Sequence, residues 1–431
     1  MLPVAQILED IITFKIGPVF FTPIKFVLLL GGVFFIKYLH PRLIYSIKIG
    51  SPVLKLFFLY SFIQICSLTY ANGITISQKI NYLLFNFSSL VIIYSLSRLF
   101  LKADYRYFSN RFSLTLKYIF FLSLFFSTVQ LFINEQLVLN IGNFKGGRGG
   151  LGVTGFNYER LFLCEFLTLG YGIFLLQNAN KLISGKIIFL GIWVLSIIIS
   201  TDSFTGLLGF CCIILCLPKM KLRYILALFL VIAINLFLVM PVVKSEIFTT
   251  EQLRVRDYRI QSYFENYQTD NWRYLSTLAI ISEVINNPTY FGRGYKENES
   301  YLSRLYDQFV LTKFGQKSTE DKKISTHSFF SIVYDQGIVG FLIFGMLIIC
   351  MLLYSFRFYF AKFNSHYDFE IYRLSCLLTS LTILRFIFYY HTVHRWHFLV
   401  SIIFLNTAYH IYRSTNKQTR RNKSLTIRPL V

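Results

Sequence analysis

The chain of 431 residues is 55% hydrophobic and 18% aromatic but only 15% charged, and apolar runs recur along nearly its whole length. This composition excludes a water-soluble globular fold and marks a polytopic membrane protein. The formal charge of +22 sits mostly in short connections and the C-terminal tail, so it reads as a topology signal and an affinity for anionic lipid headgroups, not as a nucleic-acid footprint.

The expected fold is all-α: a transmembrane helix bundle of about 11 to 12 spans, each about 20 residues long, the length that crosses a hydrocarbon core of about 30 Å. The opening "MLPVAQILEDIITF" can lie flat on the membrane, and it lacks the basic stretch and small-residue cleavage site of a removable signal peptide. Spans are expected near 18–37, 52–72, 81–100, 118–134, 158–178, 187–200, 203–217, 224–243, 327–356, 371–390 and 397–412. The pair around Thr201 reads equally as one broken helix. Residues 1–243 thus form a bundle of eight spans, 244–326 a large outer loop with short helices, 327–412 the last three spans, and 413–431 a basic tail. All seven cysteines fall inside these spans without a CxxC pair, so neither a disulfide framework nor a cysteine metal site is implied.

Alternate connections carry the basic residues, among them Lys37, Arg42 and Lys48; Lys102, Arg106, Arg111 and Lys117; Lys219, Lys221 and Arg223; Arg357, Lys362 and Arg373; and the tail. Only Asp104, Asp368 and Glu370 oppose them, so this side is cytoplasmic by the positive-inside rule.

Two outer connections hold the residues that point to chemistry. The first, "EQLVLNIGNFKGGRGGLGVTGFNYERLF", is glycine-rich, carries Lys145, Arg148 and Arg160, and ends at the start of a span. Flexible backbone and guanidinium groups beside a helix N-terminus suit an anionic, phosphate-bearing ligand, although a flexible loop with solvated charges reads the same way. The second runs for about 80 residues, too long to be structureless in a compact fold. Within it "NWRYLSTLAIISEVINN" has the apolar spacing of an amphipathic helix ended by Asn287 and Pro288, "TYFGRGY" reads as a glycine turn, and "ESYLSRLYDQFVL" as another short helix. Its arginines bunch at Arg254, Arg256 and Arg259, then Arg273 and Arg293.

The loop returns to the membrane through "STHSFFSIVYDQGIVGFLIFGML". A helix from Thr326 onward places His327, Ser331, Tyr334 and Asp335 on one face. Further on, Arg385 lies inside a predicted span, where an isolated charge costs about 2.5 to 3.5 kcal/mol even on the lenient scale, so it must face the bundle interior or snorkel outward. Glu165, also within a span, is available to pair with an arginine. His391, His394 and His397 repeat beside Arg395, without the further ligand or supporting carboxylate that would complete a metal site.

The order of these pieces resembles the O-antigen polymerase and O-antigen ligase superfamily. The resemblance rests on one large outer loop with "NWRYLSTLAIISEVINNPTYFGRGY", its P-x-x-x-G-x-G turn at 288–294, and "THSFFSIVYDQGIVGFLI" with its histidine and D-x-G-x-x-G helix start at 335–340. The earlier "GRGGLGVTGFNYERLF" and "STDSFTGLLGF" are similar to that family's glycine-containing loop and its S-R-x-x-x-L-G span, except that Phe204 stands where an arginine is common. Together the matches cover roughly residues 140 to 360.

What the resemblance implies is a hexosyltransferase-like glycosyltransferase acting on glycans carried by undecaprenyl pyrophosphate at the periplasmic face of the inner membrane. The outer carboxylate pairs, Glu297 with Glu299 and Glu320 with Asp321, form no D-x-D-like site beside a membrane entrance, so neither metal nor cofactor is expected. An acceptor hydroxyl attacks the donor's anomeric carbon and the lipid pyrophosphate leaves, which calls for a base at the acceptor and cations on the leaving group. By resemblance His327 is the base or acceptor-holding residue, with Asp335 orienting it. Arg273 is the first candidate for the pyrophosphate, although it follows Trp272 where the family's arginine usually precedes the tryptophan, so Arg254 and Arg256 remain rivals. Arg148, Arg160, Arg293 and Arg385 are further substrate-binding candidates. The reading taken is a polymerase, which lengthens a lipid-linked glycan, although these motifs do not separate it from a ligase. A ligase moving finished glycan to a lipid A core, and a flippase or other transporter, are the alternatives. Expected partners are the lipid-linked oligosaccharide and membrane lipid, with a chain-length regulator and a flippase alongside.

Overall fold

The computed structural model describes residues 14–16, 19–21, 23–36, 50–69, 71, 75–102, 105–133, 160–178, 185–201, 204–216, 272–294, 328–361, 366–388 and 396–426. These are almost wholly helical. Eleven described helices follow one another: α1 (Pro23–Ile36), α2 (Pro52–Thr69), α3 (Ile76–Lys102), α4 (Tyr105–Ile133), α5 (Arg160–Gln177), α6 (Gly185–Ser200), α7 (Phe204–Cys216), α8 (Trp272–Asn286), α9 (Ser328–Tyr359), α10 (His366–Phe388) and α11 (Trp396–Thr426). An all-α expectation needs one amendment. Before α1 the chain makes a small antiparallel hairpin of β1 (Phe14–Ile16) and β2 (Val19–Phe21), with Phe14 opposite Phe21 and Ile16 opposite Val19.

Among the described residues, four stretches are long and apolar enough to cross a membrane: Pro52–Thr69, Lys79–Arg98, Tyr105–Gln130 and Ser331–Tyr359; Leu163–Gln177 and Gly185–Ser200 are shorter apolar helices. The predicted span at 224–243, the opening segment and the helix expected at "ESYLSRLYDQFVL" lie outside the described residues. Around Thr201 the chain forms two helices, α6 and α7, and the Thr201 hydroxyl closes the end of α6 on the Ile198 carbonyl.

Proline and serine set one start. Pro52 opens α2, where its missing N–H is no loss, and the Ser51 hydroxyl accepts from the amide of Leu54 as an N-cap. The Ser51 amide donates in turn to the Asn406 side chain on α11 at 3.0 Å, tying two helices that are distant in sequence.

The distribution of polarity is that of a protein in lipid. Phe62, Phe125, Leu353 and Phe356 are each more than 60% exposed, while Ser67, Ser113, Ser123, Ser127, Ser375 and Ser401 are wholly buried. In hydrocarbon, apolar side chains gain nothing by turning inward, and small residues let helices approach closely. The buried side is densely aromatic: Phe166 stacks on Trp396, Tyr171 on Phe210 and Phe358 on Tyr372, joining α5, α7, α9, α10 and α11.

Three features differ from the sequence expectation. The connection expected around Lys102 to Lys117 is mostly helix, because α4 already begins at Tyr105 and keeps Tyr107 and Arg111 on its exposed face, the guanidinium 5.3 Å from the ring. Asp368 and Glu370, read as loop carboxylates, lie in α10 and are buried. They are satisfied by the Tyr105 hydroxyl, which donates to Asp368 at 2.8 Å, and by Ser113 and Gln177, which donate to Glu370. Finally, α11 continues past residue 412 into the basic tail as far as Thr426.

Helix α4 meets α5 where Gly170 leaves no room, since a Cβ there would strike the Cβ and ring of Phe120. Gly170→Ala should therefore lower thermal stability in detergent by an amount matching the roughly 1 to 3 kcal/mol cost of overpacking. Gly345→Ala, at a glycine with nothing within 4 Å, should leave the melting curve unshifted or raise it slightly.

Candidate functional site at a broken helix

Helix α9 is not continuous. Gly337 has φ 68° and ψ −169°, which ends the helical path after Gln336 and restarts it at Ile338. A break of this kind frees the last carbonyls of the first piece and the first amides of the second, and within a membrane such groups must find partners in the protein.

They find them in the glycine turn that follows α8. The amides of Arg293 and Gly294 donate to the carbonyls of Tyr334 and Asp335 at 3.1 and 2.9 Å, and the amides of Ile338 and Val339 donate to the carbonyls of Thr289 and Tyr290 at 3.1 and 3.0 Å. Donors and acceptors are exchanged in both directions, so residues 289–294 fill the break as a plug.

The fit depends on missing side chains. Gly292 and Gly294 have φ of 75° and 109°, the left-handed region that other residues avoid. A Cβ on Gly292 would strike the Asp335 carbonyl and the Gly337 amide; one on Gly337 would strike the Gly292 amide and the carbonyls of Thr289 and Tyr290. Gly294 rests against Ala71, just beyond the end of α2. The two glycine motifs noted separately in the sequence are thus halves of one contact.

Side chains reinforce the clasp. Arg293 forms an ion pair with Glu283 on α8, and its guanidinium lies 5.5 Å from the centre of the Tyr334 ring. Beneath the break Gln336 donates to the Tyr60 hydroxyl at 3.2 Å, as does Gln64 one turn along α2, and all three residues are at most 2% exposed. Sequence reading passed over Tyr60, Gln64 and Glu283; the signal available was a lone glutamine in the apolar "YSFIQICSL".

Of the predicted site residues, Asp335 and Arg293 meet here. Helix α9 begins at Ser328, so His327 lies immediately outside the described residues, as do Arg148, Arg254 and Arg256. Arg160 opens α5 and Arg273 stands in the first turn of α8; the side chains of both are outside the described set.

A second polar cluster lies inside the bundle. Arg385 on α10, 2% exposed, donates through Nε to Glu165 on α5, and His397 Nδ1 of α11 stands 4.0 Å from the other oxygen of that carboxylate. Beside them Thr168, Gly206, Gly209 and Leu381 help to enclose a cavity of about 10 Å³, room for about one water molecule. His391 and His394 lie outside the described residues.

No protein-family model matches the chain, and no curated protein matches it.

Two outcomes follow from this geometry. Gly337→Ala should open the clasp, and hydrogen exchange of the Arg293, Gly294, Ile338 and Val339 amides should speed up while amides in the middle of α5 stay protected. Arg385→Met should destabilise strongly, on the order of 3 to 5 kcal/mol, because it leaves a buried carboxylate uncompensated. The double variant Glu165→Gln with Arg385→Met should regain most of that loss in a thermal melt.

Proposed function

We propose that this protein is a membrane glycosyltransferase of the polymerase type, which moves a growing glycan from undecaprenyl pyrophosphate to the next lipid-linked repeat at the periplasmic face of the inner membrane. The observation that carries the reading is the junction of the 288–294 turn with the 335–340 helix start. The two sequence features that most resemble the polymerase and ligase superfamily meet in space, and His327 directly precedes α9, the helix to which the turn is bonded.

In the proposed reaction His327 takes the proton from the acceptor hydroxyl as that oxygen attacks the anomeric carbon. The bond to the lipid pyrophosphate breaks, and arginine neutralises the departing charge. Arg273, at the start of α8, is the first candidate for that role, with Arg254 and Arg256 as rivals, while Arg148 and Arg160 beside α5 suit the second lipid pyrophosphate. Arg293 is already engaged by Glu283 and Tyr334, which fits a residue that holds the loop in place. A ligase would share all of this chemistry.

One observation favours a different reading. Helices broken inside a membrane and buried charges are also how transporters build midplane sites, and the Gly337 break and the Glu165–Arg385 pair belong to that pattern. Against it, the break lies beside Asp335 at one end of the apolar run and is filled by a loop.

The lipid-linked glycan profile of a deletion strain separates these readings. Single repeats on the acceptor support a polymerase, full chains stranded on undecaprenyl pyrophosphate indicate a ligase, and loss of outer-face material indicates a flippase. Complementation with His327→Ala should restore membrane insertion but lower chain synthesis by about 10²- to 10⁴-fold, the usual worth of a positioned base. Near-normal synthesis at matched expression would sink the assignment.

A further inference from the structure

Three large apolar side chains near the end of α8 face outward: Ile285, Tyr290 and Phe291 are 71%, 75% and 63% exposed. Such a concentration on a loop surface marks a place where something binds. Its height relative to the bilayer follows from the clasp.

On α9, residues 336–356 carry no charge; Asp335 and Arg357 bound the run. At about 1.5 Å per residue this run spans about 31 Å, which matches a hydrocarbon core of about 30 Å and puts Asp335 and Arg357 at its two boundaries. The Tyr290 carbonyl is bonded to the Val339 amide, and the Thr289 carbonyl to the Ile338 amide. The turn is therefore attached within about 6 Å, along the helix axis, of the Asp335 boundary. Immediately deeper along α9, Leu342 and Met346 are 56% and 48% exposed and begin the outward apolar band of that helix.

We infer that Tyr290 and Phe291 form an interfacial anchor whose partner is the bilayer itself, at the boundary between headgroups and acyl chains. Aromatic rings favour that depth, and a tyrosine there buries its ring while the hydroxyl stays with water and headgroups. Arg293, two residues on from Phe291, is held by Glu283 and the Tyr334 ring and so fixes the turn that carries the two aromatic side chains. The clasp and the anchor together would hold the turn and the end of α8 down on the membrane surface, where an amphiphile can reach them without leaving the bilayer. This inference does not depend on the proposed reaction.

The test uses the full-length protein in nanodiscs. Tyr290→Trp changes an exposed side chain and leaves the bonded backbone alone, so the added fluorescence can be read against the parent protein with its three native tryptophans. The expected result is a blue-shifted increment, quenched strongly by phospholipids brominated near the top of the acyl chain, weakly by those brominated near its end, and little by aqueous acrylamide. An increment quenched by acrylamide and untouched by either brominated lipid would overturn the anchor. If soluble oligosaccharide then protected it from acrylamide, the rings would be a sugar-stacking platform in water instead. Quenching by tail-brominated lipid alone would also overturn the inference, because it would place the turn deep in the core.

Discussion

A helix that breaks inside a membrane cannot leave its backbone unpaired, and the candidate site is built from that constraint. Each buried N–H or C=O left without a partner is costly, by several kcal/mol where hydrocarbon surrounds it. The break at Gly337 frees two donors and two acceptors, and the 289–294 segment supplies the complement of each. This explains why glycine stands on both sides. The segment must approach the break closely enough for main chain to bond main chain, and a Cβ at Gly292 or Gly337 would hold the two strands of backbone apart. The position of the 289–294 turn against α9 follows from this contact, and the pairing of Arg293 with Glu283 lies beside it.

The rest of the bundle is organised by the same shortage of water. Helices in lipid gain little from apolar contact alone, so polar pairs between them set which faces meet. Ser51 with Asn406 joins α2 to α11, Tyr105 with Asp368 joins α4 to α10, and Gln177 with Glu370 joins α5 to α10. Model peptides value such bonds at about 1 to 2 kcal/mol each. That is small beside the total packing but enough to select one rotation of a helix over another, because a turned helix would present the same carboxylate to hydrocarbon.

The helices themselves were largely legible, because a run of apolar residues bounded by Pro52, by Gly185 or by a basic cluster leaves few alternatives in a bilayer. Legibility failed where hydropathy equates charge with water. Asp368 and Glu370 read as loop residues because their partners, Tyr105, Ser113 and Gln177, are contributed by other helices and have no local trace. The basic stretch ahead of residue 118 read as a connection for the same reason, although arginine and lysine are good helix formers. Glu165 and Arg385 were easier: opposite charges in separate apolar spans must meet or be very costly. In the site, both glycine motifs were visible, but their union was not. It is made by main-chain hydrogen bonds across some forty residues of sequence, and backbone partners leave no imprint on residue type beyond the demand for glycine.

The two charged clusters then divide between chemistry and support on grounds of space. Arg385 is almost fully buried, is held by Glu165, and borders a cavity with room for about one water molecule. Held there by Glu165, the guanidinium ties α10 to α5 inside the bundle. Glu165 lies little more than one turn into α5, directly after the glycine-rich loop that carries Arg148, while Arg385 and His397 lie on the two helices that close the bundle. The buried pair therefore sets the root of one cationic loop, as the Gly337 clasp sets the root of the other. Under the proposed reaction an anion bound between the two loops would meet cations carried on segments whose roots are fixed by contacts inside the bundle.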